Sequence, residues 1–230
     1  SPMSRGLGDV YKRQTNSNAS ASLQKQDGDF TELAAVYGLT YDKRNRTFMP
    51  TDGSVFGFVQ SLPIYADKPF IDNTFRFSTY HEFNENYVGS GKIFLSAING
   101  LNDEDVRLSK RKTLSTRRLR GFSKGKIGPV DGNDHIGGNY AAAVNFDVNL
   151  PNLLPDSSNT DVSFFVDFGN VWEVDYDDSL DDSNKLRSST GVNASWISPI
   201  GPMTFTLATN LSKASTDTTE SFNFNLGTSF

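Results

Sequence analysis

Two aspartates and one run of cations are the residues of this sequence best placed to do chemistry. Asp167 stands in the middle of the apolar stretch DVSFFVDFGNVW, residues 161–172. A lone charge there would cost several kcal/mol, on the order of ordinary burial penalties. Asp147 is set the same way in NYAAAVNFDVNL, residues 139–150. The segment from Arg107 to Lys126 holds nine of the 22 Lys and Arg residues and no Asp or Glu. Read alone, such segregation points to a phosphate contact or nucleic-acid binding. Nucleic acid is disfavoured by the net charge of -5 and by a basic run whose single aromatic is Phe122.

Other chemistries lack their residues. The chain has no cysteine and two histidines, His81 and His135, so neither a thiolate nor a His-rich metal centre is expected, and no cofactor. No G-x-S-x-G elbow occurs and neither histidine has a nucleophile pattern beside it, so an enzyme is not expected. GSGK at 89–92 and GFSKGKIG from Gly121 lack the spacing and Ser/Thr of a phosphate loop, and read as strand and loop glycines. DYDDSLDDSN, residues 175–184, lacks the ligand order and central glycine of a calcium loop, and reads as a solvated loop.

The elements that must position the two aspartates are strands. In residues 139–150, Tyr140, Ala142, Val144, Phe146, Val148 and Leu150 share one face, opposite Asn139, Ala141, Ala143, Asn145, Asp147 and Asn149. Further on, Val162, Phe164, Val166 and Phe168 oppose Ser163, Phe165, Asp167 and Gly169. Both aspartates therefore fall on the polar face. Similar alternation marks MTFTLATNL (203–211) and SFNFNLGTSF (221–230), with weaker strands near 30–42, 54–64, 70–82, 87–98 and 187–198. The connections MPTDGS and SPIGP are turn chemistry.

Nine strands make an all-β chain. A soluble sandwich alternates in the same way. The polar faces, rich in Asn, Ser, Thr, Gly and Ala with few Lys or Glu, favour an antiparallel transmembrane β-barrel with a water-filled or plugged lumen. No apolar run reaches about 18 residues, which excludes a transmembrane helix and leaves membrane strands of roughly 9 to 11 residues open. An odd count is awkward for a closed bacterial barrel. The opening SPMSRGLGDVYKRQ, residues 1–14, shows neither strand alternation nor a helical face, is similar to a translated sequencing-adapter read, and is set outside the fold as a non-native segment; no signal peptide is visible.

Several stretches together name a family. GLTYDKRNRTFMPTDG, RRLRGF followed by IGP, GGNYAAAVNFDVNLP, FFVDFGNVW, LRSSTGVNASWISPIGPMTF and the final FNFNLGTSF occur in the order and spacing of the BamA family, whose members assemble outer-membrane proteins. The resemblance covers about residues 30–230. It implies a bacterial outer-membrane barrel of about sixteen strands preceded by periplasmic POTRA repeats, of which this chain resembles the nine carboxy-terminal strands. Residues 15–29 would then be an extracellular loop and 30–230 the barrel fragment.

The resemblance also assigns residues. Leu119, Arg120, Gly121 and Phe122 match the motif at the tip of a long extracellular loop that folds back into the lumen, where the arginine meets acids on the next two strands. Those acids match Asp147 and Asp167, although a longer Glu is common at the first position. The last strand, Ser221–Phe230, with Phe222, Phe224, Leu226, Gly227 and Phe230, matches both one side of the barrel seam and the carboxy-terminal assembly signal. The function implied is insertion and folding of other outer-membrane proteins by templating client strands at that seam. A dedicated exporter of the same family or a passive channel is the alternative. Implied partners are the bilayer with its lipopolysaccharide, unfolded outer-membrane clients and periplasmic accessory lipoproteins. Lys110, Arg111 and Lys112 are candidates for contact with lipopolysaccharide phosphates.

Overall fold

A computed structural model describes residues 5–13, 20–24, 28–47, 49–84, 87–103, 105–150, 154, 160–175, 180, 184–198 and 201–227. Its strands are β1 (Arg5–Arg13), β2 (Gly28–Asp42), β3 (Gly53–Ala66), β4 (Phe70–Asn84), β5 (Tyr87–Gly100), β6 (Val130–Asp131), β7 (Asp134–His135), β8 (Tyr140–Asn149), β9 (Thr160–Trp172), β10 (Arg187–Ser198), β11 (Gly201–Ser212) and β12 (Phe222–Leu226). One helical turn, α1 (Ala21–Gln24), and a 3-10 turn at Leu108–Lys110 complete the elements.

Ten strands form one antiparallel sheet in chain order, interrupted only where β6 and β7 make a separate hairpin. Strands adjacent in sequence are adjacent in space, the meander from which up-and-down barrels are built. Eight of the ten, β2 to β5 and β8 to β11, run for 10 to 15 residues, enough to cross a bilayer core when tilted. Among the described residues the sheet is open, with β1 and β12 at its edges.

The two faces differ as the alternation requires. Leu39, Tyr41, Ile64, Phe146, Phe164, Leu207 and Leu211 stand exposed on the outer face. In water such a band would be an aggregation hazard, whereas in lipid it is the solvent-facing surface. The other face packs against the chain from 101 to 139, which carries Val106, Leu114, Leu119, Phe122, Ile127 and Ile136 into buried positions.

Residues 5–13 correct the expectation that placed 1–14 outside the fold. They form β1 and pair with β2 from Arg5 opposite Val36 to Arg13 opposite Gly28. Pairing with a strand edge uses backbone groups that every residue supplies, so weak alternation does not prevent it. The nine strands expected are β2 to β5 and β8 to β12, and β1 joins their sheet as a tenth. The segment expected as a loop over 15–29 contains α1 and the first residues of β2, and its Ser20 and Ser22 amides donate to Asp134 and Asp131 of the β6–β7 hairpin at 3.2 and 2.9 Å.

Candidate functional site in the inward-folded loop

Strand register builds the site before any loop residue enters it. Ser78 on β4 opposes Lys92 on β5, Lys92 opposes Asn145 on β8, Asn145 opposes Asp167 on β9, Asp167 opposes Ser189 on β10, and Ser189 opposes Asn210 on β11. Directly opposed residues share a face, so these side chains form one polar row running across six strands. Asp147 lies one pleat away from the row, opposite Ser90.

The tip of the 101–139 segment lies along that row. Asn145 Nδ2 donates to the Arg118 carbonyl at 2.9 Å and to Asp167 Oδ1 at 2.7 Å. Asp167 Oδ2 accepts the Arg120 backbone N–H at 3.0 Å, Ser189 Oγ donates to the Arg120 carbonyl at 2.5 Å, and Asn210 Nδ2 donates to the Gly121 carbonyl at 2.9 Å. Three consecutive polar positions of the sheet thus hold the backbone of residues 120–121.

The Arg120 side chain completes the anchor. Its Nε and one terminal nitrogen meet the two oxygens of Asp167 at 2.8 and 2.6 Å, a side-on fork, and the other terminal nitrogen meets Asp147 at 2.6 Å. Lys92 Nζ approaches the second Asp147 oxygen at 3.4 Å, so two cations face two carboxylates and the cluster is neutral. Asp167 is fully buried, a position tolerable only with this degree of pairing. The guanidinium carbon also sits 3.7 Å above the centre of the Phe165 ring. A side chain at Gly191, opposite Phe165, would collide with that ring and with the Leu207 carbonyl.

Apolar side chains fix the same tip. Leu119 and Phe122 join Leu114, Ile127, Phe94, Ala141, Ala143 and Val171 in one buried cluster. Gly169 on β9 leaves the space into which Leu114 and Leu119 project. Gly121 turns with φ of 86°, and an added Cβ would stand 3.1 Å from Ala208 Cβ and Asn210 Nδ2.

The loop between β11 and β12 is tied to this tip. Ser123 N–H donates to Thr218 O at 3.0 Å, Thr218 N–H to Lys126 O at 3.0 Å, and Glu220 N–H to Gly121 O at 3.0 Å, around a bridge between Phe122 and Thr219. A second buried pair supports it: Arg187 forks onto Asp217 at 3.0 and 2.8 Å and also donates to Asn170. His135 Nε2 lies 3.0 Å from Thr216 O.

The structure thus brings Leu119, Arg120, Gly121, Phe122, Asp147 and Asp167 together, and the shorter Asp147 does reach Arg120. Sequence reasoning missed Lys92, Asn145, Ser189, Asn210 and the Arg187–Asp217 pair. For those on strands the signal was a polar residue on an alternating strand, and Asp217, in the β11–β12 loop, carried none. The candidates for lipopolysaccharide contact have partners within the chain: Lys110 pairs with Glu32 at 2.8 Å and Lys112 with Asp72 at 2.5 Å, while Arg111 pairs with Asp175 at 2.8 Å. They face inward because carboxylates of β2, β4 and the β9–β10 connection compete for them.

At the other site, Phe222, Phe224 and Leu226 of β12 stand exposed on the outer face, with Phe224 5.1 Å from the Phe205 ring. The strand was expected over 221–230; it spans Phe222–Leu226, Gly227 follows with φ of 108°, and Phe230 lies outside the described residues.

Residues 7–230 match the Omp85 superfamily domain. The chain is 27% identical over 218 residues to the outer membrane protein assembly factor BamA of Neorickettsia risticii, covering 93% of this chain and 29% of that protein. It is 28% identical over 196 residues to BamA of Nitratidesulfovibrio vulgaris, covering 82% and 24%. A solved structure of BamA from Haemophilus ducreyi, lacking POTRA domains 1–3, superimposes with a TM-score of 0.78 at 26% identity, covering 85% of this chain and 42% of that one. The chain therefore spans less than a third of the two curated relatives and under half of the structural one.

Proposed function

Because the chain belongs to the Omp85 superfamily, we propose that it is the barrel part of an outer-membrane assembly factor, which inserts and folds other outer-membrane proteins. It is an integral outer-membrane barrel segment and acts without bond chemistry. Unfolded outer-membrane proteins are its clients. The bilayer with its lipopolysaccharide surrounds it, and accessory lipoproteins serve it from the periplasm.

The mechanism proposed is strand templating at β12. One observation carries it: among the described residues β12 pairs with β11 over five residues, Met203–Leu207, whereas β10 and β11 pair over eleven. A short edge strand is held by few ladder bonds and offers its free backbone groups to an incoming strand. The Arg120 anchor holds the lumen loop, and through residues 218–220 that loop holds the approach to β12. A passive channel fits less well, since the loop lies across the inward face.

The test places a photo-cross-linking residue at Asn223 or Asn225 of the full-length protein in cells. Cross-links to newly made outer-membrane proteins are expected, together with loss of those proteins on depletion. Cross-links confined to a single secreted partner would favour the exporter, and none at all would overturn templating at this strand.

A further inference from the structure

The inward-facing cations are treated unequally. Lys110, Arg111, Lys112 and Arg120 each meet a carboxylate. Arg118 does not: its guanidinium carbon lies 3.4 Å above the Phe94 ring, and among the described residues its side chain has no carboxylate or hydrogen-bond partner. Phe94 is itself buried, and the residue directly opposite it on β4 is Arg76, which shares the inward face and likewise has no carboxylate partner among the described residues. Burial first, and the Arg76 charge second, pull the Arg118 pKa down to about 10.

Two guanidiniums near each other without a carboxylate repel and leave their planar N–H forks unused. The arrangement is the complement of a carboxylate, which would accept from both forks and cancel the repulsion. We propose that Arg118, stacked on Phe94, and Arg76, directly opposite Phe94 on β4, form a carboxylate-binding station on the inward wall, separate from the Arg120 anchor. Its occupant is an acidic side chain of polypeptide, supplied either by a part of the same protein outside the described residues or by an acidic segment entering the barrel.

The experiment titrates the full-length protein in detergent micelles with a fluorescent hexaglutamate peptide and, in parallel, measures thermal unfolding. The proteins are the wild type, Arg76→Gln, Arg118→Gln and, as a control, Lys124→Gln in the exposed part of the loop. Binding that weakens about tenfold or more in the first two variants and not in the third supports an entering ligand. No peptide binding, with both arginine variants unfolding at lower temperature than the wild type, supports an internal carboxylate. Equal weakening by Lys124→Gln reduces the effect to general charge attraction and overturns the station. So does absence of binding with arginine variants as stable as the wild type or more so, because that is relief of unpaired repulsion. Arg76 is exposed, so its variant remains informative if Arg118→Gln fails to fold.

Discussion

Asp167 and Ser189 oppose each other across β9 and β10 and hold the same residue from its two sides: Asp167 accepts the Arg120 N–H at 3.0 Å and Ser189 donates to the Arg120 carbonyl at 2.5 Å. The loop tip is thereby bound as backbone as well as side chain. Arg120→Ala should still lose the anchor, because it strands a fully buried carboxylate; breaking such a pair costs on the order of 3–5 kcal/mol. Proteolysis near residue 120 of the folded protein should accelerate and heat-modifiable migration should fail at lower temperature. Unchanged cleavage and migration would remove the anchor from the argument.

Arg120→Lys tests the fork itself. A single ammonium cannot reproduce a side-on contact to Asp167 together with a contact to Asp147. The lysine variant should lie closer to Arg120→Ala than to the wild type in the same assays.

The two acids should not be equivalent. Asp167 has no exposure and accepts from Arg120 side chain, Arg120 backbone and Asn145, while Asp147 is shared with the partly exposed Lys92. Asp167→Asn should cost about 2–3 kcal/mol and Asp147→Asn about 1 kcal/mol or less. Denaturant titration of the two variants checks the order, and equal losses would mean that burial is not what distinguishes them.

How much of this was legible in the sequence follows from what kind of information each feature carries. Alternation at period two assigns a face residue by residue, and so Asp147 and Asp167 could be placed inward from the chain alone. Register is different. That Ser189 faces Asp167 and Asn210 faces Ser189 depends on turn lengths and bulges, such as the irregularity between Ser188 and Ser189, and no local pattern encodes it. Arg187 and Asp217 lie 30 residues apart in chain and meet only through folding of the β11–β12 loop. β1 was missed for the opposite reason, since its pairing is carried by backbone groups rather than by side-chain pattern.

The ladder between residues 121–126 and 218–220 should transmit the state of the loop tip to β12. Glu220→Pro removes the N–H that donates to the Gly121 carbonyl, and Thr218→Pro the one that donates to Lys126. Either should raise hydrogen exchange in Phe222–Leu226 while leaving β8 and β9 protected. Exchange that rises equally across the sheet would indicate general destabilisation instead.

His135 gives the loop contact a pH dependence whose sign can be worked out. Burial holds its pKa below the ordinary value of 6.5, only partly offset by its bond to Thr216, and Lys126 and Arg187 oppose protonation while Asp217 favours it. Nε2 faces the Thr216 carbonyl and so carries the proton of the neutral ring, and Nδ1 is buried with no hydrogen-bond partner among the described residues. As pH falls through 6.5 the unfolded chain takes up a proton that the folded chain refuses, so stability is lost on acidification until the depressed folded pKa is passed. Protease cleavage in the 213–221 loop should therefore quicken between pH 7.5 and 5.5, a window of about two units around the ordinary histidine value. His135→Gln should flatten that dependence. If it persists in the variant, the titrating group is another one, and the contact between His135 and Thr216 has no part in holding the loop over the lumen.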